Sequence, residues 1–464
     1  MHNTEYLGPE SSISKEIDEM KYRQKDESFD EKIKRISRTL SDDDEHRYKL
    51  EDILGNMRFL PAGRVQAAIG SNRITTAYNC FVSGVIEDNM NSIMEKASEA
   101  AETMRRGGGI GYDFSRIRPR GDKIKSLDSQ ASGPVSFMGI FDAVCQTIAS
   151  SGHRRGAQMG VLRVDHPDIE EFIMAKRNSD KLTGFNISVG ITDKFMEALT
   201  NDLDSSFTLE FQGKPYRTIC ARDLWDKIMD STWDWAEPGV LFIDRIGEMN
   251  NLYYCEDIFA TNPCGEQPLP PYGACLLGSF NLTKYLDEEQ IAGGEVAESH
   301  FEFDFKRFKS DIYEVVRAMD NVIDRTIYPL KKQADEAKDK RRMGLGVTGL
   351  ANAGELLGKP YASEDFMTWA EKVFACLRDT TYKASALLAK EKGAFPLYRE
   401  DYLKSNFVRG LPASVKKLIR EHGIRNSHLT SIAPTGTISL VADNVSGGIE
   451  PVFSHYYDRT IQTF

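Results

Sequence analysis

No stretch of this chain stays apolar for the roughly 20 residues that a membrane-spanning helix needs. The opening stretch MHNTEYLGPESSISKEIDEMKYRQKDESFDEK is polar and acidic, without the apolar core of a secretion signal. A basic excess is missing too: 59 Lys and Arg stand against 70 Asp and Glu, a net charge of -11. Nucleic-acid binders carry a basic footprint, so neither bulk nucleic acid nor a membrane is an expected partner, and the cytoplasm is the default compartment. Seven cysteines occur, at Cys80, Cys145, Cys220, Cys255, Cys264, Cys275 and Cys376. They form no CxxC pair and no Cys/His cluster with zinc spacing. In a reducing compartment a disulfide framework does not account for them. Internal repeats and low-complexity linkers are absent as well.

What is present reads as an α/β protein with a small helical N-terminal region over residues 1–55 and one large catalytic domain over 56–464. The run TTAYNCFVSGVI reads as a strand carrying Cys80 near its middle. Asp88 and Asn89 are placed to cap a helix whose Ile93, Met94, Ala97 and Ala101 recur at helical spacing. That helix runs into Arg105-Arg106-Gly107-Gly108-Gly109, which suits either a plain turn or close backbone contact with a ligand. Ser132-Gly133-Pro134 opens a second amphipathic helix. The two, at about 88–104 and 134–150, could pair in a homodimer bundle. His153-Arg154-Arg155-Gly156-Ala157 is a basic, flexible segment, and a helix is expected after His166-Pro167. Strand and helix signals then alternate to about residue 460, with long helices over 301–325 and 365–392.

The most informative segment is ATNPCGEQPLPPYGACLLGSFNL. Cys264 sits between Pro263 and Gly265, a pairing that makes a loop rather than a regular element. Asn262 and Glu266 each lie two residues from the cysteine, so the three side chains can converge on one pocket. A thiol can act as nucleophile, ligand or one-electron redox centre. A desolvated glutamate can move a proton, and an amide can hold a hydroxyl without titrating. Spacing alone does not choose between this site and a rigid turn around one buried thiol. The segment Pro434-Thr435-Gly436-Thr437-Ile438-Ser439 lies between a strand-like and a helix-like run. It suits either an anion held on backbone N–H groups or a simple capped turn. It lacks the lysine of a Walker A loop.

Several motifs in order carry a resemblance. NPCGEQPL at 262–269, CLLGSFNL at 275–282 and PTGTIS at 434–439 resemble the catalytic subunit of a ribonucleotide reductase. LPAGR at 60–64, NCFV at 79–82, RRGGGIG at 105–111, RRMGLGVTGLA at 341–351 and GGIEPVF at 447–453 match the family as well. The likeness covers almost everything from residue 55 onward. It implies a ten-stranded α/β barrel with the active cysteine on a central finger loop. It implies that Cys264 becomes a thiyl radical and takes the 3'-hydrogen of a ribonucleoside di- or triphosphate. Glu266 would accept the 3'-OH proton and Asn262 would bond the substrate hydroxyls. Cys80 and Cys275 would reduce the 2'-position and end as a disulfide, reset by a thioredoxin- or glutaredoxin-type dithiol. Asn79, Gly108 and Gly109 would line the ribose side, and Thr435, Gly436, Thr437 and Ser439 would take the phosphates.

The resemblance further implies a deoxynucleoside triphosphate effector with Mg2+, held at Asp88 beside the dimer helices. Segments 151–160 and 177–186 would relay its identity to the substrate base. A separate ferritin-like subunit of di-iron or di-manganese type is the expected radical source, with adenosylcobalamin as the alternative. Two departures from the family stand out. The stretch before LPAGR is shorter than the ATP-binding cone, so control by that cone is expected to be absent. The chain also stops soon after GGIEPVF, so the barrel is expected to be incomplete at that end. Tyr456-Tyr457 falls too early to match the family's radical-relay pair and reads as structural. A non-catalytic nucleotide-binding regulator and a glycyl-radical enzyme are the competing classes. Intact Cys80, Cys264, Cys275 and Glu266 oppose the first, and the lack of a glycyl-radical segment opposes the second.

Overall fold

A computed structural model describes residues 6–124, 128–148, 156–177, 181–201, 205–291 and 298–458. Residues 153–155 of the basic segment, part of each proposed relay loop (151–155 and 178–180) and the chain end at 461–464 lie outside the described residues.

The polar N-terminal region forms three helices, α1 (Ser12–Tyr22), α2 (Phe29–Leu40) and α3 (Asp44–Gly55). Their starts are capped by Ser11, Ser28 and Asp43, each accepting a backbone N–H of the first turn. The apolar residues of α2 and α3, among them Ile33, Ile36, Leu50 and Ile53, join the main core. Asp18 and Lys32 are both fully buried and form an ion pair that locks α1 onto α2, with Arg23 on the same carboxylate. A buried pair of this kind fixes geometry more than it adds stability.

Strand and helix then alternate. Strands β2 (Cys80–Val82), β3 (Gly109–Asp113), β4 (Gln158–Arg163), β5 (Phe185–Ile191) and β6 (Gly239–Phe242) run parallel in that spatial order. Helix α4 (Met90–Arg105) connects β2 to β3, and α5 (Pro134–Thr147) connects β3 to β4, as βαβ units require. A short strand β7 (Ala274–Cys275) pairs antiparallel with β2 and makes the sheet six-stranded. A second sheet holds β1 (Phe59–Pro61), β8 (Leu277–Asn281) and β9 (Gly344–Thr348). β8 and β9 are parallel and joined across α6 (Phe305–Arg325); Thr430 then bridges to Leu345 in parallel. Among the described residues, hydrogen bonds trace one six-stranded sheet, one three-stranded sheet and four two-stranded pairs rather than one ten-stranded ring.

Several sequence expectations shift in detail. Cys80 begins its strand instead of sitting mid-strand, because residues 76–79 turn on Thr76, whose hydroxyl accepts the Tyr78 N–H. Residues 301–303 belong to a strand, Glu298–Phe303, and α6 starts at Phe305 with Asp304 as its cap. The 29-residue helix Glu364–Lys392 packs on α6 close to where the sequence placed it. The run before Pro434 contributes a single bridge and no strand of its own. No helix among the described residues is long and apolar enough to cross a membrane.

Candidate active site

The Cys264 loop is the tip of a hairpin. Ala260–Thr261 pairs antiparallel with Pro268–Leu269, and residues 262–267 turn between them. Gly265 adopts φ +83°, and its N–H donates to the Asn262 carbonyl at 3.0 Å, so the turn closes only with a glycine there. The Asn262 Oδ1 accepts the Gln267 N–H at 2.9 Å, while its Nδ2 donates to the Glu266 carboxylate at 2.6 Å. Asn262 is therefore buried as a brace for Glu266.

The hairpin is pinned between the two sheets. Asn186 on β5 donates to the Pro263 carbonyl at 2.8 Å, and Ser431 donates to the Glu266 carbonyl at 3.0 Å. Two glycines allow this close approach. A Cβ on Gly111 would lie 1.8 Å from the Thr261 carbonyl oxygen, and one on Gly344 would lie 2.1 Å from Gln267 Nε2.

Cys264 stands exposed at the tip and faces a cavity of about 890 Å³. Asn79, Cys80, Glu266, Gly108 and Gly109 line the same cavity, as do Thr435, Gly436 and Thr437. Cys275 is buried behind it and is the register partner of Cys80 across the antiparallel β2–β7 pair. Such partners have Cα atoms about 4.5–5.5 Å apart, within the roughly 4.4–6.8 Å that a disulfide spans. Burial pushes the Cys275 thiol well above its ordinary pKa, and nearby Glu266, Cys80 and Cys264 push the same way. Burial likewise raises the Glu266 carboxyl, and the Asn262 amide draws it part of the way back. The Asn79 Oδ1 is buried with no hydrogen-bond partner, an acceptor left for a ligand hydroxyl.

The 434–439 turn is mixed. Its Gly436 and Thr437 backbone N–H groups meet no acceptor among the described residues. Thr435 is in the left-handed region at φ +54°, and its hydroxyl accepts the Gly448 N–H at 2.9 Å beside Thr348 Oγ1, so it holds the turn. Ser439 is buried, with its hydroxyl donating to the Gly436 carbonyl at 3.4 Å, and does not line the cavity. Asp88 lies away from the cavity before α4 and takes Arg118 Nε at 2.6 Å and the Arg118 N–H at 3.1 Å; Asn89 is the helix cap. Tyr457 donates to Asn444 at 2.7 Å on the surface.

Three cavity residues escaped the sequence reading. Lys21 at the end of α1, Arg64 of LPAGR and Arg73 all line the cavity. LPAGR carried family likeness but no role, and a lysine in a polar helix gives no signal at all.

Three thiols, a carboxylate with a raised pKa and a tight turn with open N–H groups gather around one cavity of an α/β fold. Residues 78–463 match the family model described as "Ribonucleotide reductase, barrel domain", and the chain belongs to that family. It is 37% identical over 414 residues to the "Vitamin B12-dependent ribonucleoside-diphosphate reductase" of Thermoplasma acidophilum, covering 89% of this chain and 50% of that protein. It is 39% identical over 410 residues to the protein of the same description from Mycobacterium tuberculosis (strain CDC 1551 / Oshkosh), covering 88% of this chain and 55% of that one. A "Ribonucleoside-diphosphate reductase subunit alpha" from Chlamydia muridarum is more distant, at 26% over 468 residues. The chain spans about half the length of the first two relatives.

These relatives correct one expectation. A separate ferritin-like subunit of di-iron or di-manganese type was the expected radical source and partner. The more similar reductases are instead vitamin B12-dependent by description. The compact size that pointed to a separate subunit says nothing about cofactor chemistry.

Proposed function

We propose that this chain is the catalytic barrel of a ribonucleotide reductase, which converts ribonucleotides to 2'-deoxyribonucleotides for DNA synthesis. The observation that carries this reading is the register pairing of Cys80 with Cys275 beside a cavity shared by Cys264 and Glu266. The hairpin at 260–269 acts as the finger loop, held between two sheets that make up the barrel.

The chemistry balances on these residues. The Cys264 sulfur radical takes the 3'-hydrogen atom while the Glu266 carboxylate accepts the 3'-OH proton. The 2'-OH leaves as water with a proton from the Cys80–Cys275 pair. The two thiols supply two electrons and become a disulfide; their second hydrogen ends on C2', and Glu266 returns its proton to the 3'-oxygen. The hydrogen atom then returns from the Cys264 S–H to C3', restoring the radical. The raised pKa of Glu266 brings the carboxylate nearer to the range in which a base exchanges protons readily. The raised pKa of Cys275 keeps its proton available for the departing hydroxyl. An external dithiol must reopen the disulfide. Asn79 supplies a buried acceptor for a ribose hydroxyl, and Gly436 and Thr437 offer N–H groups to phosphate.

Adenosylcobalamin, the cofactor on which the relatives depend by description, would supply the radical chemistry when bound. Cys264 is exposed in the cavity of about 890 Å³, so its thiol is open to a radical source on that side. The walls at Pro263 and Gly156–Ala157, next to the thiol, would face it. The test is an anaerobic assay with ribonucleoside di- and triphosphates, a dithiol, and adenosylcobalamin present or omitted. Deoxynucleotide formed only with the cobalamin supports the reading. No deoxynucleotide from any of these substrates overturns it.

A further inference from the structure

We infer that Lys21, Arg64 and Arg73 form a cationic wall that takes the terminal phosphate of the nucleotide, so that the N-terminal helical region selects for substrate phosphorylation. The inference rests on reading the cavity as a ribonucleotide site.

Charge is the first ground. The chain carries a net charge of -11, yet the cavity is lined by three cationic side chains and a single carboxylate, Glu266. Most lysines and arginines near the barrel are tied to carboxylates. Among the described residues, Lys21 and Arg73 have no carboxylate within 4.0 Å. Lys21 also occupies the last turn of α1, where the helix end is negative and an anion would otherwise be repelled.

Packing is the second ground. A Cβ on Gly107 would lie 2.7 Å from the Arg64 guanidinium carbon, so the glycine leaves the space that the guanidinium fills. Gly63 does the same for Tyr22, whose ring carbon would lie 2.7 Å from a Cβ there. Tyr22, Leu60 and Ile438 share one small apolar cluster, which seats the end of α1 against the helix that follows the 434–437 turn. Ser14 donates to the Leu440 carbonyl at 2.6 Å, and the Asp443 carboxylate accepts the Glu10 and Ser11 N–H groups. The wall therefore lines the same cavity as Gly436 and Thr437. Those groups suit the inner phosphate, and side-chain cations suit the outer, more charged one.

Titration calorimetry on the full chain tests this with cytidine, its mono- and diphosphate, and inorganic pyrophosphate. The variants are Lys21→Met, Arg64→Met and Arg64→Lys. Each Met variant should weaken diphosphate binding roughly ten- to hundredfold, and leave cytidine binding unchanged. Arg64→Lys should recover part of the loss. Pyrophosphate should compete with the diphosphate on the wild type and bind poorly to the Met variants. Lys21 is exposed, so its variant tests the wall even if Arg64→Met fails to fold. Wild-type diphosphate affinity in a folded Lys21→Met and Arg64→Met pair would overturn the inference. Pyrophosphate binding that the variants lose, with no cytidine affinity in any form, would keep the wall and sink the nucleotide-site reading instead.

Discussion

Gly111→Ala should disable the Cys264 loop without touching a single reacting group. Gly111 lies mid-strand on β3, and a methyl there would sit 1.8 Å from the Thr261 carbonyl oxygen. Ordinary contact begins at 3.4 Å, so the hairpin must retreat by about 1.6 Å or the strand must bend. The obstacle is backbone, which cannot rotate away as a side chain would. Overpacking of this kind costs about 1–3 kcal/mol. A displacement of about 1 Å at a reacting centre can cost roughly a hundredfold in rate. The retreat would carry Cys264 and Glu266 away from Cys80, which is held on the neighbouring strand. The assay pairs the reductase rate with thermal unfolding and nucleotide titration. We expect kcat to fall at least a hundredfold, Tm to drop by a few degrees, and nucleotide Kd to change far less. Gly247→Ala is the control, because a Cβ there meets nothing within 4 Å. A folded Gly111→Ala protein that turns over at the wild-type rate would refute the argument that this contact sets the loop.

Other perturbations follow from the same geometry. Asp18→Asn leaves Lys32 buried without its charged partner, an arrangement that costs about 3–5 kcal/mol; thermal unfolding should show a large loss, and an unchanged Tm would mean the pair is not structural. Burial already lowers the Lys32 pKa despite Asp18, so without that carboxylate the lysine should lose its proton at a lower pH, and the variant should regain stability as pH rises through that range. Asn262→Ala removes a bond that draws the Glu266 pKa down. Glu266 must be ionised to accept a proton, so the acid limb of the pH–rate profile should move to higher pH; a limb that stays or moves lower contradicts the assigned base. Cys80→Ser should stop multiple turnover with a dithiol, and sustained product from it would remove Cys80 from the reducing pair.

The site was legible where it is local and opaque where it is assembled. Pro263 and Gly265 around Cys264 announce a tight turn, and the hairpin tip is that turn. The pairing of Cys80 with Cys275 was legible only through family likeness. It depends on a short antiparallel strand added to a parallel sheet, which no spacing encodes. Thr435 and Ser439 looked alike as phosphate ligands, but one hydroxyl holds Gly448 and the other is turned inward. The N-terminal region misled most. It read only as a small helical region, while Asp18 and Lys32 are buried and Lys21 lines the cavity. At the level of fold, alternating strand and helix signals placed the α/β architecture correctly. They could not show how strands divide between sheets, because that division rests on contacts far apart in sequence.

The central claim is that Cys264 starts the reaction and that Cys80 and Cys275 supply its electrons. The direct measurement is a single turnover without external dithiol, followed by deoxynucleotide counting and peptide mapping of disulfides. Wild type should yield about one deoxynucleotide per chain together with one Cys80–Cys275 disulfide, and Cys264→Ser should yield neither while binding nucleotide as before. Deoxynucleotide formed by Cys264→Ser, or product formed with both Cys80 and Cys275 still reduced, would contradict the account.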